Sequence, residues 1–194
     1  MTAASPHERA FGDELPPHCQ VLKIHIGTLD QLFNSMDPAP FRERDLDPNA
    51  EEFIVGWARE LRADGPLALL VHLDKQPGTA EEAAMLKDAV RKFFEQRAIV
   101  TRQRLHRLLR VGRISLIIGL LFLALSIATG NLAVQLMGEG HFNSVVRESL
   151  LIGGWVAMWR PLEVFLYDWW PILSEARLFD RLRGMAVRIA QPTG

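Results

Sequence analysis

The chain has 194 residues, a formal net charge of -1 and a mean hydropathy of +0.05, which leaves room for one small domain and a membrane hairpin. A single cysteine, Cys19, excludes an intrachain disulfide, so an oxidising compartment is not needed for stability. The near-neutral total hides a strong segregation. Residues 1–86 carry 15 acids and 7 bases, residues 87–113 carry 9 bases and 2 acids, and the remaining 81 residues carry 6 of each.

Residues 1–17 contain acids and prolines without an apolar core. They read as a disordered lead and not as a secretory signal. From His18 to Ile26 the chain alternates, with Leu22, Ile24 and Ile26 on one face and Val21, Lys23 and His25 on the other. That period of two predicts a half-buried strand. Asp47 and Pro48 make a good cap and first residue for an amphipathic helix that stops near Ala63. A second, more apolar strand is expected over residues 66–73, after Asp64-Gly65. Thr79 and Glu82 match a capping box, and no Pro or Gly follows until Gly112, so one long helix is expected to run toward the apolar half.

Residues 18–96 therefore predict an α+β head of strand-helix-strand-long helix. Two strands make a poor sheet and leave open edges, so the head is expected to complete its sheet with another copy or a partner. Residues 97–113 form a basic neck, in which Arg102, Arg104, Arg107, Arg110 and Arg113 are placed to contact the membrane surface. Attraction to anionic lipid is worth about 1 kcal/mol per basic residue near a bilayer. Membrane contact is preferred to nucleic acid for that reason.

Residues 114–137 hold no charged side chain in 24 positions. At 1.5 Å per residue, about 20 such residues cross the hydrocarbon core. This is the first transmembrane helix, followed by a periplasmic loop over 138–147. A second crossing over 148–170 is interrupted by Arg160 and Glu163, and two placements remain open. In one the helix crosses fully; in the other it ends or tilts near Arg160, with Pro161 permitting a bend and the rest lying along the interface. Trp155, Trp159, Tyr167, Trp169 and Trp170 suit the headgroup level in both. The arginines of the neck and of the tail, 171–194, outnumber those of the loop, so both termini are expected in the cytoplasm, as in a multi-pass protein of the bacterial inner membrane.

Arg160 and Glu163 lie three apart on one helical face, where ionisable side chains mark ion paths, buried pairs or interfacial anchors. The anchor or structural pair is the expectation, with conduction as the alternative. Ala124, Ala128, Ser126, Gly130, Gly153 and Gly154 supply small residues for close helix approach. His25 and His72 fall on the two predicted strands near Cys19, yet their spacing matches no metal-ligand motif, so no metal is expected. The acids of residues 37–48 read as loop and helix cap. No nucleophile elbow, P-loop or dinucleotide turn is present, and neither an enzyme nor a cofactor is expected.

The stretches RDLDPNAEEFIVGWAREL (44–61) and MWRPLEVFLYDWWPI (158–172) resemble small uncharacterised bacterial inner-membrane proteins that join a soluble head to two carboxy-terminal crossings. The resemblance covers most of 21–182 and implies topology and source, but no activity. The expectation is a non-enzymatic oligomeric scaffold or adaptor that presents its head in the cytoplasm. Its partners would be the anionic bilayer and either its own copies or a membrane protein. A channel or transporter accessory assembled from several hairpins is the alternative.

Overall fold

The structure, a computed structural model, describes residues 8–37, 44–61, 65–74, 79–137 and 141–192. The chain divides into two compact units, Met1–Ile99 with Glu175–Gly194, and Val100–Ser174.

The first unit is a head built on a mixed four-stranded sheet. Strands β1 (Glu8–Gly12), β2 (Gln20–Ile26), β3 (Leu67–Leu73) and β4 (Ala186–Pro192) lie in the order β1-β4-β3-β2. Both expected strands are present. Leu22 stands opposite Leu69 in the β2–β3 register and both are fully buried, as the alternation requires. The strands sequence reading left out are β1 and β4. β1 lies in the stretch expected to be disordered, and β4 lies in the tail expected to stay outside the head.

Together they widen the sheet to four strands within one chain. β4 runs parallel to β3 and antiparallel to β1, so one edge of the expected two-strand pair is covered by the chain itself, with β1 and β2 as the outer strands. Parallel neighbours need long connections. β2 reaches β3 through helix α1 (Pro48–Glu60), whereas β3 reaches β4 only through everything from residue 74 to residue 185. The second unit is thus an insertion inside one strand-to-strand crossover of the first.

Local chemistry explains the helix starts. Asp47 accepts a hydrogen bond from the Asn49 amide at 2.9 Å, with Pro48 in the first turn of α1. The capping box at α2 (Ala80–Met137) forms reciprocally: the Thr79 amide donates to Glu82 Oε2 at 2.8 Å, and the Glu82 amide to Thr79 Oγ1 at 3.2 Å. At the end of β1, Gly12 has φ +114, and a Cβ there would meet Val187 O at 2.5 Å. Only glycine fits that turn.

One sheet face, carrying Leu22, Leu69, Val71, Val187 and Ile189, shares a core with three helical segments. Ile54 and Ala58 come from α1, Leu86, Val90 and Phe94 from α2, and Phe179 and Leu182 from α4 (Trp169–Arg183). Phe94 is fully buried and stacks on Phe179 at 6.2 Å. Lys23, His25, Leu70, His72 and Arg188 occupy the other face, outside that core.

The second unit contains two helical segments, the rest of α2 and the run begun by α3 (His141–Glu163). α3 starts seven residues before the expected 148. It passes through Pro161 and continues by a π-helical turn, Val164–Asp168, into α4. The helix therefore does not end at Pro161. Both helices are long and apolar enough to cross a membrane.

Candidate functional site

The polar site that the sequence singles out lies where α3 passes into the π turn, and its geometry begins with how α2 and α3 pack. A Cβ on Gly112 would stand 2.7 Å from Val164 Cγ1, one on Gly119 2.9 Å from Met158 Sδ, and one on Gly130 2.9 Å from Arg147 Cγ. On the other helix, a Cβ on Gly154 would stand 2.6 Å from Leu123 Cδ1. These contacts fix an antiparallel register in which Gly112 faces Val164 and Gly130 faces Arg147. Of the small residues noted in the sequence, Ser126, Gly130 and Gly154 lie in this seam. Ala124 and Ala128 are exposed, and a Cβ on Gly153 would meet nothing within 4 Å beyond its own helix. Gly112 and Gly119 belong to the seam as well; their spacing of seven, two helical turns, was the signal for them.

Arg160 donates to Glu163 Oε2 at 2.9 Å and lies 3.7 Å from Asp168 Oδ2. Glu163 is three residues away, as an i,i+3 pair requires. Asp168 was not anticipated, because in a regular α-helix a residue eight positions on is rotated by about 80°. The π turn absorbs one extra residue and so brings Asp168 to within about 20° of the Arg160 direction. Within the same turn the carbonyl of Phe165 accepts a hydrogen bond from Trp169 Nε1 at 2.8 Å. The side chains of Arg160, Glu163 and Asp168 are 66%, 42% and 31% exposed, so the trio is an outward-facing cluster carrying one more acid than base.

The register separates the five aromatic residues into two groups. Tyr167, Trp169 and Trp170 lie beyond the Gly112–Val164 level, alongside the neck arginines. Trp155 and Trp159 lie on the apolar side of that level, next to the Leu123–Gly154 contact and the Gly119 contact. Arg102, Arg104, Arg107, Arg110 and Arg113 are all exposed on α2, and the last four make no ion pair among the described residues.

In the head, the rings of His25 and His72 stack at 4.4 Å and 9°, so the sequence placed them together correctly. Among the described residues no group of three or more His, Cys, Asp or Glu side chains is arranged to hold a metal. Of the loop carboxylates, Asp37 accepts the Asp45 amide and Asp47 caps α1. Residues 38–43 lie outside the described residues. No protein-family model, curated protein or solved structure matches this chain.

Proposed function

We propose that the chain is a non-enzymatic adaptor of the bacterial inner membrane, with two crossings and a head held at the cytoplasmic face for a membrane-protein partner. The observation that carries this reading is that both arms of the apolar hairpin run on into the head's core. Residues 83–98 of α2 and 178–182 of α4 both contribute buried side chains there. A domain merely appended to an anchor would need one linker; this one is tied in at both ends and loses its core if either arm is withdrawn. Four strands from one chain lessen the need for a second copy, which supports the adaptor over the scaffold.

In this reading the neck arginines and Tyr167, Trp169 and Trp170 sit at the headgroup level, where bases meet anionic lipid and aromatic rings are stable. Arg160 lies about 5 Å to the apolar side of Arg113 in the hairpin register, close enough to extend to that same level. Its partners Glu163 and Asp168 lie in the headgroup direction, which fits an anchoring ion pair rather than an ion path. Between Glu148 and Arg160, α3 offers only 11 uncharged residues, about 16 Å, against a hydrocarbon core of about 30 Å. Arg147 and Arg160 therefore reach outward at opposite ends.

Fractionation and reporter fusions test the arrangement together. The protein is expected in the detergent-soluble membrane fraction, with fusions to Gly194 active in the cytoplasm and insertions at Gly140 active in the periplasm. Cross-linking in native membranes is expected to trap a distinct partner protein. Recovery in the soluble fraction would end the membrane reading, and cross-links only between copies would replace the adaptor by a homo-oligomer.

A further inference from the structure

The head is acidic overall, yet one cleft in it is lined by bases. The cleft has a volume of about 470 Å³ and lies where the connection after β1, the start of β3, helix α2 and the α4–β4 turn meet. Pro16, Pro66 and Met185 form apolar wall, and Lys87, Arg91 and Arg183 supply charge. Lys87 and Arg91 are one turn apart on α2 and share a face. Arg183 comes from the last turn of α4.

The three bases differ in how far they are already engaged. Lys87 donates to Asp13 Oδ1 at 2.7 Å, while Asp13 Oδ2 accepts the Val187 amide at 3.3 Å, so Asp13 both ties the β1 end to β4 and fixes the lysine. Arg183 makes a 3.4 Å contact through one nitrogen to Glu95. Arg91 makes no ion pair or hydrogen bond among the described residues, although Glu95 is four residues along the same helix and turned to Arg183. Counting Asp13 and Glu14, the lining carries three positive and two negative side chains. One whole guanidinium, most of a second and two ammonium protons remain to donate.

We propose that this cleft binds a phosphoryl group carried by a small molecule. Two arginine forks and an ammonium offer more donors than the two oxygens of a carboxylate can accept, whereas a phosphoryl group presents three acceptor oxygens. The volume lies in the range of small-ligand sites, and the apolar wall accommodates the rest of such a molecule. The site consists of head residues only, so it stands or falls separately from the adaptor reading.

The test is calorimetric titration of the full-length protein in neutral-lipid nanodiscs, with pyrophosphate as probe and a short-chain phosphatidylglycerol as the second probe. Saturable one-site binding of pyrophosphate is expected, weakened at least about tenfold by Arg91→Gln and by Arg183→Gln. Arg91→Lys should recover part of the loss, since it keeps the charge but not the fork. Arg177→Gln, the same charge change at an exposed position outside the cleft, should leave binding unchanged. Arg91-dependent binding of the lipid alone would assign the same phosphoryl chemistry to a headgroup. Absence of saturable binding by either probe, or equal losses in Arg91→Gln and Arg177→Gln with unchanged circular dichroism, would overturn the proposal.

Discussion

Gly153 and Gly154 are neighbours of the same type with opposite surroundings, and they show how closely single residues set the hairpin. Gly154 lies against Leu123, where a Cβ would meet side-chain carbon at 2.6 Å and Cα at 3.3 Å; Gly153 has nothing within 4 Å. Overpacking a tight contact costs typically about 1–3 kcal/mol. Gly154→Val is therefore expected to lower the thermal midpoint of the detergent-solubilised protein, while Gly153→Ala leaves it unchanged or slightly higher through the gain in helix propensity. Equal midpoints for the two variants would mean that α2 and α3 do not pack in this register. The sequence marked Ser126, Gly130 and Gly154 as small residues at useful spacing. It could not separate Gly154 from Gly153, nor Ala124 from Ser126, because the choice between adjacent positions on a helix is made by the helix that faces them.

Two elements make sharper demands. A π turn is one residue inserted into an α-helix. Removing one exposed residue from it, Leu166, should turn Val164–Asp168 into regular helix while leaving the residues on either side facing as before. Deleting Val156 from the regular part of α3 instead rotates everything beyond it by about 100° and separates Gly154 from the Gly112–Val164 contact. The Leu166 deletion is expected to express and melt like the parent, and the Val156 deletion to be lost to proteolysis; similar fates for both would contradict the π turn. The other element is β4, which is hydrogen-bonded to β1 on one side and β3 on the other. Truncation before residue 186 should abolish the protease-resistant head, whereas truncation before residue 13 removes only an edge strand and should leave a weakened but folded head. A tail-less protein as resistant as the full chain would show that β4 is not central.

For the whole molecule, the division into two units predicts that the head survives without the hairpin. Replacing residues 100–174 by a flexible linker of about 20 residues should give a soluble, monomeric domain, since its four strands and three helical segments all lie in the first unit. Size-exclusion chromatography coupled to light scattering reports the outcome directly. A stable dimer would restore pairing between copies as part of the fold, and an insoluble product would mean that the hairpin is needed to form the head.

What the sequence determined by itself are the features whose cause is local. The caps at Asp47 and Thr79, the alternation of residues 18–26 and the uncharged run over 114–137 follow from hydrogen bonds within one turn, side-chain period and hydration, which need no distant partner. Tertiary structure alone decided the rest. Met185, Val187 and Ile189 alternate as plainly as Leu22, Ile24 and Ile26, yet a short alternating stretch becomes a strand only when another strand lies beside it. Here that strand is β3, more than a hundred residues earlier in the chain. Asp168 likewise joins Arg160 only because a helical turn took in one extra residue, which is invisible to a rule that counts residues at a fixed 100°.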